Sequence, residues 1–265
     1  MSEVVPDDFR PLLRRLFASR LPGMFAKGFH AVRLAPGTQE AFARADAHPG
    51  PVLVACNHQS WWDPLTGFLL HDRFFGTRRA LCPMDRTQLA KFGFFRKLGV
   101  FGVDPDDATG LRPFVRHVES RFATDPRTVL MLTPQGQFVD PRLPVKVRPG
   151  GAMVMSRVPA AHAMALAAEY AFWTDRKPEV FLRATAVEPP ADRGDARAWD
   201  AAFERTMDAN AAALAALVQS RDPARFTLLQ GGTGARTHPA YDLWLRLTGR
   251  DPGIETAHRA PGTRA

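Results

Sequence analysis

Short apolar runs set off by proline, glycine and aspartate recur along the whole chain. Two of them, over residues 52–56 and 128–133, are unbroken enough to predict fully buried strands. Further runs predict strands over 30–34, 79–84, 99–103, 159–170, 179–187 and 226–229. Between these, apolar residues return at helical spacing. Leu111, Phe114, Val115, Val118 and Phe122 mark a helix over 109–122, and Trp199, Phe203, Met207, Leu214 and Leu217 mark a long one over 196–220. Residues 64–71, 150–157 and 241–247 read as further helices, and 36–51 as a connection containing one. Asp85 is placed to cap a helix running to Lys91. Strands alternating with helices predict an α/β fold, a single domain whose mostly parallel mixed sheet is flanked by helices.

The N-terminal pattern differs. Phe9, Leu12, Leu13, Leu16 and Phe17 form an apolar stripe interleaved with Arg10, Arg14, Arg15 and Arg20. Pro22-Gly23 is expected to interrupt the helix, after which Met24, Phe25 and Phe29 resume the stripe beside Lys27. A basic amphipathic helix either lies in a membrane interface, cations toward anionic headgroups, or packs its stripe on the core. The pattern leaves both open. The expected organisation is a basic amphipathic membrane-interface segment over 1–28 with residues 1–8 loose, a folded domain over 29–250, and a flexible tail over 251–265.

Charge narrows the partners only a little. The net charge is +8, and only five of the 35 cationic side chains are lysine. A basic chain suits an anionic membrane, phosphorylated small molecules or nucleic acid. Neither zinc-finger spacing nor a ribonucleoprotein-type aromatic motif is present, which argues against nucleic acid. Cys56 and Cys82 make no disulfide framework, which fits a reducing compartment. No apolar run approaches the roughly 18 residues of a membrane span, and arginines interrupt every candidate leader core. The histidines are scattered without metal-ligand spacing.

The chemistry concentrates in Val52-Leu-Val-Ala-Cys-Asn57-His58-Gln-Ser-Trp-Trp-Asp63-Pro64. A buried strand runs into a polar turn, and Asp-Pro then starts a helix, the carboxylate available as a cap and proline suited to the first turn. That puts His58 at the C-terminal end of a strand, the usual edge for sites in open α/β sheets. With Asp63 in reach to fix its tautomer, His58 has the makings of a general base; otherwise Asp63 is only a cap. Asn57 either orients the loop or satisfies the turn. Ser60 lacks a Gly-x-Ser-x-Gly elbow, and Cys56 reads as a small buried hydrophobe. Trp61 and Trp62 either line a binding space or simply pack. Gly231-Gly-Thr-Gly234 lacks the Lys-Ser/Thr of a phosphate-binding loop and reads as a turn.

The His-x4-Asp form of Asn57–Asp63 resembles the glycerolipid acyltransferase family, the lysophosphatidate acyltransferase-like enzymes. Three further stretches follow in that family's order. Gly99-Val-Phe-Gly-Val-Asp-Pro105 resembles its second block, Leu132-Thr-Pro-Gln-Gly-Gln137 its third, and Val158-Pro159 its fourth. Lys146-Val-Arg-Pro-Gly-Gly resembles the segment after the third block. The likeness covers roughly residues 50–165. It departs from the family at Pro105, where a phosphate-binding arginine is usual, at Gln135 in place of glutamate, and at His162 in place of a second proline.

The resemblance implies an acyltransferase domain over 29–250 that moves a fatty acyl group from acyl-CoA or acyl carrier protein to a hydroxyl. The acceptor would be a lysophospholipid or another lipid, with His58 as base and Asp63 holding it. Asn57, Pro134, Gln135, Gly136, Gln137 and Lys146 would bind substrate, with oxyanion donors expected near Gly136. No metal or cofactor is expected beyond the thioester co-substrate, and the protein would sit peripherally on the cytoplasmic face of the membrane. Arg96, Arg142 or Lys146 could replace the missing phosphate contact. Alternatively the acceptor carries no phosphate, as in a glycolipid or terpenoid alcohol. A non-catalytic lipid-binding protein on the same fold, or a hydrolase using the same pair, stays open.

Overall fold

The computed structural model describes residues 3–232 and 239–250. Its strands are β1 (Ala31–Leu34), β2 (Val52–Cys56), β3 (Arg79–Asp85), β4 (Val100–Val103), β5 (Thr128–Leu132), β6 (His162–Ala171), β7 (Glu179–Ala186) and β8 (Thr227–Gly231). They form one sheet in the order β4-β3-β5-β2-β6-β7-β1-β8. From β4 to β6 every pairing is parallel. β6 and β7 then pair antiparallel, β1 is parallel to β7, and β8 closes the far edge antiparallel. The sheet is mixed and mostly parallel, as the alternating pattern predicts.

The helices are α1 (Pro11–Ala18), α2 (Leu21–Gly28), α3 (Thr38–Ala47), α4 (Asp63–Phe74), α5 (Arg86–Lys91), α6 (Leu111–Thr124), α7 (Gly150–Arg157), α8 (Ala196–Gln219) and α9 (Pro239–Leu247). The two faces of β2 show how the layers form. Val52 and Val54 point into a core with Phe25 of α2, Phe42 of α3 and Leu70 of α4. Leu53 and Ala55 point the other way, toward Val118 of α6, Val154 of α7 and Phe203 of α8. A strand covered on both faces needs apolar residues at every position, which is why this one reads as a run rather than an alternation. Asp85 caps α5 as expected, accepting from the N–H groups of Thr87 and Gln88.

The N-terminus departs from expectation in three ways. Residues 3–8 are not loose: Val5 exchanges both backbone hydrogen bonds with Gly102 of edge strand β4. Asp7, fully buried at its side chain, pairs with Arg79 at 2.6 Å and Arg121 at 2.9 Å. The helix breaks at Ser19–Arg20 rather than at Pro22-Gly23, and Pro22 sits in the first turn of α2, where a missing N–H costs nothing. The apolar stripe of α1 is also divided. Arg14 turns inward, donating to Phe68 O and His71 Nδ1 with its guanidinium over the Phe68 ring, while Leu12 and Leu16 are 70% and 52% exposed. The tail expected over 251–265 lies outside the described residues. No described helix is long and apolar enough to cross a membrane.

Candidate active site

β2 delivers the site. Where it ends, Asn57 continues the pairing with side-chain atoms: Nδ2 donates to Ala168 O at 3.0 Å and Oδ1 accepts from Ala168 N at 2.7 Å. This pins the root of the next turn to β6, so Asn57 serves the turn. His58 Nδ1 then lies 2.8 Å from Asp63 Oδ2. Oδ2 also accepts from the N–H groups of Gln59 at 2.7 Å and Ser60 at 2.8 Å, and Oδ1 accepts from the Tyr170 hydroxyl at 2.7 Å. The carboxylate therefore turns back onto the loop instead of capping α4. Four donors converge on a side chain that is almost fully buried. A carboxylate only accepts, so His58 Nδ1 is the nitrogen that carries a proton toward it, and Nε2 is the ring nitrogen turned away from Asp63. Burial, reinforced by the Asp63 charge, holds the Tyr170 phenol well above its usual range and keeps it a donor.

The loop after β5 clamps the histidine backbone. His58 N donates to Gln135 Oε1 at 2.9 Å, and Val139 N donates to His58 O at 2.7 Å. Gln135 thus supports the loop with an amide oxygen, and no charge is needed for that. Gly136 has φ +68°, and the Arg148 side chain lies where a Cβ would stand, so only glycine fits on both counts. Its N–H, sought as an oxyanion donor, is committed to Thr133 O at 3.0 Å. Phe138 packs its ring 4.5 Å from the imidazole.

His58 and Asp63 line a cavity of about 820 Å³. Its walls are mainly apolar, with Met84, Phe95, Phe114, Met131, Leu132 and Leu166 among them, and Pro134, Gly136 and Gln137 line it as well. Such a space suits an alkyl chain. Lys146 is elsewhere: its side chain is 84% exposed and 3.6 Å from Glu204. Arg96 donates to Pro6 O, Arg142 pairs with Asp140, and neither is among the residues lining that cavity. Trp61 stands at the rim, 58% exposed, whereas Trp62 packs against Phe25 and Phe29 in the core. Cys56 and Cys82 are thiols at neutral pH, since burial pushes Cys56 well up and Cys82 to about 12. Among the described residues, no group of three or more His, Cys, Asp or Glu is arranged to hold a metal ion.

Sequence reasoning missed three participants: Tyr170, Phe138 and Arg148. For Tyr170 a signal existed. Met164, Leu166, Ala168 and Tyr170 share one face of β6 by period-two alternation, and a phenol ending an apolar row invites a search for its partner.

Strand order, helix layers and the placement of the loop at the strand ends define a single α/β domain with a mostly parallel mixed sheet. No protein-family model matches the chain, and no curated protein matches it by sequence. A solved structure does. It is the crystal structure of the 1-acyl-sn-glycerophosphate (LPA) acyltransferase, PlsC, from Thermotoga maritima, matched with TM-score 0.53 at 13% identity over 79% of this chain and 84% of that one. At that identity the likeness is one of fold.

Proposed function

We propose that the protein is an O-acyltransferase that moves a fatty acyl group from acyl-CoA or an acyl carrier protein thioester to a hydroxyl of a lipid acceptor. The observation that carries this reading is the 2.8 Å His58–Asp63 contact at the wall of a large apolar cavity. His58 Nε2 takes the acceptor's hydroxyl proton as the oxygen attacks the thioester carbonyl. The tetrahedral oxyanion collapses, the C–S bond breaks, and the imidazolium returns the proton to the departing thiolate. Asp63 fixes the ring and stabilises its transient charge, and its other three donors keep it from swinging away. No cofactor enters beyond the thioester.

Exposed apolar side chains on α1, on the segment after α5 and at the cavity lining support a membrane contact. Leu12 and Leu16 of α1, Phe92, Phe94, Trp61 and Phe138 are all exposed. Their rings form a chain, with Trp61 6.2 Å from Phe92 and 5.8 Å from Phe138. Arg10, Arg15, Arg20, Lys91 and Lys97 are exposed on the same segments. Apolar side chains rimmed by cations suit the anionic cytoplasmic leaflet, with the cavity opening toward its lipids.

The test is His58→Ala, assayed for acyl transfer from radiolabelled acyl-CoA. Loss of the base should lower the rate about 10²–10⁴-fold with thermal unfolding unchanged. Undiminished transfer would sink the mechanism; no transfer by the wild type from either donor would leave a lipid-binding protein on the same fold.

A further inference from the structure

The chain is cationic overall, yet the surroundings of its proposed base are not. Among the described residues the large cavity is lined by one Lys or Arg side chain, Arg148. That guanidinium is engaged, donating to Pro105 O and, at 2.9 Å, to Asp106 Oδ1. Asp63, Asp85, Asp104 and Asp107 line the same cavity. A second cavity of about 520 Å³ shares Phe138 with the first and is lined by Gln59, Tyr170, Asp140, Arg142 and Glu169 among others. Its one arginine is held bidentately by Asp140, at 2.8 and 2.6 Å. In both spaces flanking the His58 loop, each cation has an aspartate partner and carboxylates remain in excess. This local sign runs against the net +8 of the chain.

We infer that the acceptor is an uncharged lipid alcohol and that acceptors carrying a phosphate monoester are disfavoured; this rests on the acyltransferase reading. A phosphate monoester brings nearly two negative charges at neutral pH. To reach Arg148 it would have to displace Asp106 and sit beside Asp104 and Asp107, where the field of the carboxylates lowers its local concentration. Hydroxyl donors meet the opposite situation: Asp104 in the large cavity, and Glu169 and the Gln59 side chain in the second, offer acceptor oxygens. The donor thioester is compatible with the same surroundings, because an uncharged pantetheine arm separates the reacting carbonyl from the donor's phosphates.

The experiment compares acceptors with one donor. The full chain is given a radiolabelled long-chain acyl-CoA together with a monoacylglycerol, a long-chain primary alcohol or lysophosphatidate, each in neutral detergent micelles. Transfer to an uncharged acceptor should exceed transfer to lysophosphatidate by at least about tenfold. Asp106→Asn, which frees the charge of Arg148, should raise lysophosphatidate use relative to monoacylglycerol. Preference for lysophosphatidate in the wild type overturns the inference while leaving the acyltransferase reading standing. An Asp106→Asn ratio that stays fixed or falls overturns it as well. Transfer to none of the three acceptors overturns the acyltransferase reading and the inference together.

Discussion

Asp63 is held by its neighbours rather than by its own helix, and Tyr170 is the neighbour that reaches furthest. Its hydroxyl occupies the carboxylate oxygen that His58 does not use, 2.7 Å away, and lies 3.2 Å from Thr66 Oγ1. A hydrogen bond to a charged group contributes about 1.5–3 kcal/mol. Tyr170→Phe removes the donor while keeping the ring stacked on Phe29. The expected result is a fall in kcat of about tenfold with the KM for the acyl donor unchanged, since the tyrosine acts through Asp63. Equal losses in kcat and in folded population would instead mark it as a packing residue. The His58–Asp63 pair was legible because only four residues separate its members and a turn brings them together. Tyr170 was not, because its contact depends on β6 lying beside β2, which no local pattern encodes.

At the scale of elements, strands and helices were legible almost throughout, because a two-residue or 3.6-residue apolar period is a local property. Orientation was less so. In α1 the apolar stripe leaves open whether Leu12 and Leu16 pack on the core or face an interface, and Arg14 is the residue turned inward, since α4 offers it a carbonyl, an imidazole nitrogen and an aromatic face. The exposed leucines are then free for another surface. Leu12→Ser together with Leu16→Ser should leave thermal unfolding unaffected and weaken binding to anionic vesicles in a sedimentation assay. Withdrawing two leucines from an interface is expected to cost about 2–3 kcal/mol, roughly 30- to 150-fold in partitioning. Arg15→Gln should act mainly at low salt, where surface attraction is least screened. Unchanged binding in the double-serine variant would show that α1 does not enter the interface. Deleting the whole segment would not be a clean test, because Val5 and Asp7 are tied to β4, Arg79 and Arg121.

For the whole molecule, the order β4-β3-β5-β2-β6-β7-β1-β8 was beyond the sequence, because which strands become neighbours is settled by long-range packing. The same packing buries histidines and thereby links the fold to pH. His71 joins α1 to α4 and lines the large cavity. Arginine only donates, so His71 Nδ1 accepts from Arg14 and the imidazole is neutral. Burial, together with the Arg14 charge, holds its pKa at about 3. His117 and His162 are lowered as well, chiefly by burial. For such groups the unfolded chain takes up the proton first. Their contribution to stability is complete above the unfolded value near 6.5 and is lost as pH falls, for His71 down to about 3. The slope reaches about 1.4 kcal/mol per pH unit for one fully buried group. Urea unfolding should therefore show wild-type stability falling steeply between pH 6.5 and pH 4.5. In His71→Gln, which keeps an acceptor for Arg14 but cannot titrate, the fall should be shallower by roughly 1 kcal/mol per pH unit. Parallel curves for the two proteins would mean that His71 is protonated in the folded state and that the seam between α1 and α4 tolerates its charge. Because folded His71 keeps its neutral imidazole at the cavity wall down to about pH 3, its titration should leave binding of a long-chain acyl-CoA to the folded protein unchanged between pH 6.5 and pH 4.5, even as stability falls.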